Sequence, residues 1–176
     1  CGGSRLDPEL FRSFQRLGFT VYEGYGLTET APVLTVHRAG DAKAGSVGLP
    51  LPNVELDIRN TNLEGVGEVW VRGPSVMGGY LNNDEATREV LSDGWLRTGD
   101  LGRLDDDGHL FLTGRSKDLI VTSAGKNVYP DEVEMRYGEL PYVKELCVFG
   151  LPARDGLGDA VHAVVVIDES TSPEWD

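Results

Sequence analysis

Positive charge is scarce in this sequence. Sixteen lysines and arginines stand against 29 aspartates and glutamates, a formal net charge of -13 over 176 residues. Such a surface repels phosphate backbones and anionic headgroups, which argues against nucleic acid as a partner. No apolar run is long enough to span a bilayer, so no transmembrane segment is expected, while peripheral membrane contact stays open. Two cysteines, Cys1 and Cys147, are too few for a disulfide framework; Cys147 lies in the apolar run 145–150 and is expected as a small buried thiol. The three histidines, His37, His109 and His162, have neither triad-like nor metal-ligand spacing, and Gly73-Pro74-Ser75-Val76-Met77 lacks the second glycine of a nucleophile elbow. Serine hydrolase and zinc chemistry are therefore disfavoured. A signal-peptide pattern is also missing, and the opening Cys-Gly-Gly-Ser suggests an internal piece of a longer cytoplasmic protein.

The rest has the composition of an ordinary soluble protein, 40% hydrophobic and 26% charged, long enough for one sizeable core or two small ones. Asp7-Pro8-Glu9 supplies a capping side chain and a first-turn proline, and Leu10, Phe11, Phe14 and Leu17 follow at helical spacing, predicting a helix with one buried face. Residues 18–22 read as a short strand leading into a loop at Gly24-Tyr25-Gly26. From about 47 to 113 the period shortens to that of strands, with Val54, Leu56 and Ile58 on one face and Val69 and Val71 repeating the pattern, predicting a small antiparallel sheet or barrel. A helix from about 84 to 91 interrupts it. Asp105-Asp106-Asp107-Gly108 has its glycine too early for a calcium loop and reads as the turn between strands 101–104 and 110–113. Past Gly114 come a strand at 119–122, a helix at 130–137 and two buried strands at 146–149 and 161–167, so the domain boundary is placed near 114, between 1–113 and 114–176. The tail 168–176 is polar, contains Pro173, and is expected to end without closing a unit.

Three stretches carry candidate chemistry. In Gly24-Tyr25-Gly26-Leu27-Thr28-Glu29-Thr30, glycines permit close backbone approach and two hydroxyls and a carboxylate follow, so the loop can hold a phosphate and a metal, or can be a tight turn capped by Thr28 or Thr30. Asp100, in Asp93-Gly94-Trp95-Leu96-Arg97-Thr98-Gly99-Asp100-Leu101, is expected at the mouth of a strand, where its carboxylate can accept both hydroxyls of a ribose or simply cap a turn. Arg115, Lys117 and Lys126 form a positive cluster in an acidic chain, fit either for an anionic ligand or for a solvated hairpin.

Taken in order, six segments resemble the adenylate-forming superfamily of acyl-CoA synthetases, luciferase-like enzymes and peptide-synthetase adenylation domains. They are Gly24-Tyr25-Gly26-Leu27-Thr28-Glu29, Gly48-Leu49-Pro50, Gly67-Glu68-Val69-Trp70-Val71-Arg72-Gly73, Gly79-Tyr80-Leu81, Gly94-Trp95-Leu96-Arg97-Thr98-Gly99-Asp100 and Gly114-Arg115-Ser116-Lys117-Asp118. The resemblance implies an α+β fold: the end of a large AMP-binding domain with a barrel-like β-subdomain, then the start of a small α+β domain.

It further implies that residues 24–28 hold ATP or AMP, with Tyr25 against the adenine, Thr28 at the alpha-phosphate and Glu29 on Mg2+. Asp100 would take the ribose hydroxyls with Arg115 beside it. Lys117 or Asp118 would be the hinge about which the small domain turns between half-reactions, and Gly125 and Lys126 would line the path of coenzyme A. The stretch Lys126-Asn127-Val128-Tyr129-Pro130 looks most like the long-chain fatty acyl-CoA ligases. The implied activity is activation of a carboxylic acid as acyl-AMP and transfer to coenzyme A. The rivals are a peptide-synthetase-type adenylation domain and a non-catalytic binding protein on the same fold. The family's phosphate loop belongs before residue 1 and its catalytic lysine beyond residue 176, so this piece alone is expected to be inactive. Acyl chain and oligomeric state are not legible.

Overall fold

The structure is a computed structural model, and residues 1–154, 156–168 and 170 are described. The chain divides into two compact units, Cys1–Leu112 and Thr113–Asp176.

The first unit opens with α1, Pro8–Arg16, capped by the Asp7 carboxylate on the Leu10 amide at 2.8 Å. Only Phe11 of its apolar side is buried; Leu10, Phe14 and Leu17 are exposed, so the expected buried face is corrected to a single anchoring ring. Residues 18–22 form no strand. Pairing starts two residues later, with β1 (Gly24–Gly26) joining β2 (Val33–Val36), which in turn pairs β3 (Leu49–Pro50), all antiparallel. The segment expected as a loop at 24–26 is thus the strand. Its register with β2 shifts between Tyr25 and Gly26, where Leu34 of β2 is the extra residue.

A second, five-stranded antiparallel sheet is built from β4 (Glu55–Arg59), β5 (Gly67–Arg72), β6 (Leu91–Ser92), β7 (Trp95–Leu104) and β8 (Leu110–Arg115), with α2 (Asp84–Val90) between β5 and β6. Leu56 pairs Val71 and Ile58 pairs Val69, so the alternation legible in the sequence is the inward face of β4 and β5. The Asp105 turn closes β7 on β8: the Gly108 amide donates to Asp105 O, and the Asp105 carboxylate accepts from the amides of Asp107 and His109. The two sheets share one core of Tyr25, Leu34, Val47, Val69, Val71, Leu96 and Leu110. Fully burying a leucine such as Leu34, Leu96 or Leu110 stabilises by about 2–3 kcal/mol, so the strand bearing Tyr25 is held by the same core as β7.

The second unit contains the short hairpin of β9 (Ile120–Val121) and β10 (Asn127–Val128), then α3 (Pro130–Gly138) and the long hairpin of β11 (Val143–Pro152) and β12 (Asp159–Ile167). The Glu134 carboxylate of α3 accepts the Val148 amide at 2.7 Å, tying helix to β11. Two expectations are corrected here. Val148 is buried, but Cys147, pointing the other way on the same strand, is exposed. Residues 161–167 are not buried either: Val164 is 57% and Val165 46% exposed, because among the described residues β12 pairs β11 alone apart from one bridge from Asp159 to Thr122. The expected open-ended tail, 168–176 with Pro173, lies outside the described residues except for Asp168 and Ser170.

Candidate active site

The chemistry expected of residues 24–30 depends on how tightly the backbone folds there. β1 runs so close to the returning chain that a Cβ on Gly26 would sit 1.7 Å from Pro32 O, a contact no side chain can make. After β1 the chain enters a 3-10 turn, Thr28–Thr30. The Thr30 hydroxyl accepts the Leu27 amide at 3.0 Å and lies 3.0 Å from the carbonyls of Leu27 and Pro32, so Thr30 is the capping residue. Thr28 is exposed, and its hydroxyl makes no hydrogen bond among the described residues.

Glu29 is held at both ends. Its carbonyl accepts the Met77 amide at 2.8 Å, and its Oε1 accepts the Tyr80 hydroxyl at 2.9 Å. The hydrogen bond to Glu29, with partial burial, pushes the Tyr80 phenol up from its ordinary value. Tyr80 is anchored in turn by its amide on the Thr87 hydroxyl of α2, at 2.9 Å. Oε2 of Glu29 makes no hydrogen bond among the described residues. No cluster of three or more metal-ligating side chains occurs there either. A lone carboxylate such as Glu29 is a ligand magnesium can take, since that ion uses one or two protein carboxylates and draws its remaining ligands from substrate phosphates and water.

Asp100 does not stand at a strand mouth. It lies inside β7, where two extra residues bulge the strand between the pairs Trp70–Arg97 and Glu68–Leu101. The Thr98 hydroxyl donates to Val69 O at 2.7 Å and accepts the Asp100 amide at 3.1 Å, fixing the bulge. The Asp100 carboxylate is thereby aimed at Tyr25, whose hydroxyl donates to Oδ2 at 2.6 Å, both residues being only 9% exposed. A phenol and a carboxylate 75 positions apart in sequence thus form one buried pair.

The other expected site residues belong to the second unit. Arg115 ends β8, Lys117 and Asp118 lie in the 3-10 turn Ser116–Asp118, and the side chains of Arg115, Lys117, Asp118 and Lys126 are exposed. Lys117 and Asp118 border a groove of about 460 Å³ whose other charged residues, Asp131, Glu134 and Asp159, are acidic. Gly125 and Lys126 form the turn between β9 and β10: Gly125, at φ 72°, donates to Thr122 O, and the Lys126 amide donates to the Thr122 hydroxyl. Tyr80 is the residue whose part the sequence did not reveal. Its segment, Gly79-Tyr80-Leu81, was legible as a family signature without a role.

The family model described as "AMP-binding enzyme" matches residues 1–81. Those residues are similar to the AMP-binding enzymes. Similarity continues over the rest of the chain. The long-chain-fatty-acid–CoA ligase FadD15 of Mycobacterium bovis is 40% identical over 99% of this chain, which spans 27% of that protein. Among solved structures, the o-succinylbenzoate CoA synthetase of Bacillus subtilis, in complex with the acyl-adenylate intermediate OSB-AMP, aligns with a TM-score of 0.88 at 35% identity, covering 97% of this chain and 36% of that one. The amide bond synthetase McbA from Marinactinospora thermotolerans aligns with a TM-score of 0.80 at 40% identity, covering 98% of this chain and 37% of its own. The fold is that of adenylate-forming enzymes. The chain spans roughly a quarter to somewhat over a third of these relatives' length, 27% at the low end and 37% at the high end.

Proposed function

We propose that this chain is the nucleotide-handling part of an ATP-dependent acyl-CoA ligase, which joins a carboxylic acid, a fatty acid in the reading favoured here, to AMP and then passes the acyl group to coenzyme A. The observation that carries the reading is the buried contact of Tyr25 with Asp100, which unites two family signatures next to the Glu29 turn. In this scheme the Asp100 carboxylate accepts the ribose hydroxyls, the Tyr25 ring lies along the adenine, and residues 24–28 line the phosphates with Thr28 at the alpha-phosphate. Glu29 holds magnesium, which offsets the charge that builds as an anionic carboxylate approaches an anionic phosphate.

Arg115, Lys117, Asp118, Gly125 and Lys126 take the roles of ribose contact, hinge and coenzyme A path by the same resemblance. The residues 114–176 act as the start of the small mobile domain and 1–113 as the end of the large one. The cytoplasm is the compartment proposed for the enzyme, in keeping with two free thiols. No described helix is long and apolar enough to cross a membrane.

A second reading is favoured by one finding, the 40% identity to an amide bond synthetase. There the activated acyl group would go to an amine. Both readings share the adenylation step and part at the acceptor. The test is a graft in which this chain replaces the matching segment of the Mycobacterium bovis ligase. Pyrophosphate release from ATP and magnesium is followed across carboxylates from acetate to palmitate, with coenzyme A, an amine, or neither. Acid-dependent release with thioester formed only when coenzyme A is present supports the ligase; amide without thioester supports the second reading. No release from a folded graft refutes both.

A further inference from the structure

Two histidines that lie 72 positions apart in sequence meet behind the hairpin that carries Tyr25, their ring centroids 6.2 Å apart. His109 is satisfied on both ring nitrogens, Nδ1 by the Ser46 hydroxyl and Nε2 by the Asp41 carboxylate, each at 3.2 Å. His37 is not. It is 4% exposed and packed edge-on against Phe11, and its buried Nε2 makes no hydrogen bond of ordinary geometry among the described residues, facing only the backbone carbonyls of Ser46 and Lys43. Two of its other polar groups serve one residue: the His37 amide donates to Glu23 O at 2.9 Å, and the Glu23 amide donates to His37 Nδ1 at 3.1 Å.

Accepting through Nδ1 requires the neutral ring with its proton on Nε2. That tautomer leaves a buried N–H without a well-formed hydrogen bond, with only the loosely placed carbonyls of Ser46 and Lys43 to meet it, at a cost of up to about 1–3 kcal/mol. An apolar side chain would fill the same space without that cost but would orphan the buried Glu23 amide instead. Packing alone therefore does not account for an imidazole here, whereas its acceptor nitrogen does. Glu23 directly precedes Gly24. β1 is three residues long and its register with β2 shifts after Tyr25, so its own ladder offers few bonds to fix where Tyr25 begins.

We infer that His37 is a positioning residue for the nucleotide loop: through Nδ1 it locks Glu23, and so sets the start of β1 that directs the Tyr25 hydroxyl onto Asp100. The inference rests on the nucleotide reading only for its ligand half; the positioning half concerns this chain's own geometry.

The test uses this chain with two variants. His37→Asn keeps an acceptor oxygen within reach of the Glu23 amide, and His37→Leu removes it at similar bulk. In the wild-type chain, long-range nitrogen-proton spectra of labelled histidine are expected to show His37 Nδ1 unprotonated; a protonated Nδ1 overturns the proposal even if neither variant folds. In His37→Leu the Glu23 amide is expected to exchange with solvent at least about tenfold faster, and AMP, titrated to millimolar concentrations, to bind roughly tenfold more weakly, equivalent to about 1.4 kcal/mol. His37→Asn is expected to restore both. Unchanged exchange in His37→Leu, or an asparagine variant as impaired as the leucine one, overturns it. Absence of any AMP response at Tyr25 in the wild type refutes the nucleotide reading instead, and the exchange rates then decide the positioning claim by themselves.

Discussion

Replacing Tyr25 by phenylalanine removes one oxygen and leaves the ring in the core cluster, so it isolates the hydrogen bond on which the site is built. The bond joins a neutral donor to a carboxylate at 2.6 Å between residues that are each 9% exposed. Hydrogen bonds to charged groups contribute roughly 1.5–3 kcal/mol, and little screening by water reaches this pair. A loss of about 2 kcal/mol is expected. With a urea dependence of about 2 kcal/mol per molar for a unit of this size, the unfolding midpoint falls by about 1 M. Fluorescence of Trp70 on β5 and Trp95 on β7, both in the first unit, reports the transition. Asp100→Asn keeps an acceptor but removes the charge, so the double variant separates the bond from general packing; a coupling of about 1.5 kcal/mol is expected. A Tyr25→Phe shift below about 0.3 M, or additive single effects, would refute the claim that this pair fixes the site.

Gly26→Ala forces a methyl group against Pro32 O and is expected to destabilise the first unit by about 3 kcal/mol in the same urea assay; a neutral result would show that the hairpin opens freely. Burial, and then the neighbouring His109, hold His37 below the ordinary histidine range, so the unfolded chain binds its proton first as pH falls. Stability from this group is then full above about pH 6.5 and is lost toward the lower folded value, by at most about 1.4 kcal/mol per pH unit. Midpoints measured from pH 7.5 to 5.5 should show this fall in the wild type and lose it in His37→Asn. Burial raises the Glu23 carboxyl, whose contribution has the opposite sign: it is present below about pH 4.5 and lost as pH rises through the folded value, so Glu23→Gln should be compared alongside. In the graft, Tyr80→Phe is expected to raise the magnesium concentration for half-maximal pyrophosphate release roughly tenfold, with activity regained at saturating magnesium; an unchanged requirement would separate Tyr80 from Glu29. Gly125→Leu, placed at a positive φ that costs about 1 kcal/mol, should leave adenylation intact and reduce thioester formation in the graft, and equal loss of both steps would remove the β9–β10 turn from the coenzyme A path.

Local chemistry explains which parts of the fold were legible in the sequence. Asp7-Pro8, the alternation of Val54, Leu56 and Ile58, and the acidic turn before Gly108 are each decided by neighbours a few residues away, and each forms as expected. Strand period, by contrast, does not say which strands meet. Nothing near Tyr25 announces Asp100, and nothing near His37 announces His109. The same limit misplaced β12, since a run of valines looks buried whether or not a second layer covers it, and here it forms the outer strand of a hairpin. Residues 18–22 carry strand-like side chains, but pairing with β2 begins only at Gly24, where glycine allows the close approach. At the candidate site, the residue types were legible at Thr28, Glu29 and Asp100. The bulge that turns Asp100 toward Tyr25, and the Tyr80 bond to Glu29, depend on pairing register and so were not.

The most direct measurement is isotope exchange between pyrophosphate and ATP in the graft, which reports acyl-adenylate formation alone, with Asp100→Ala as its companion. Exchange is expected to require a carboxylic acid and magnesium, and the KM for ATP to rise at least about tenfold in Asp100→Ala, corresponding to about 1.4 kcal/mol of lost binding. Exchange with an unaltered KM in the folded Asp100→Ala graft, or no exchange in the folded parent graft, would contradict the proposed function.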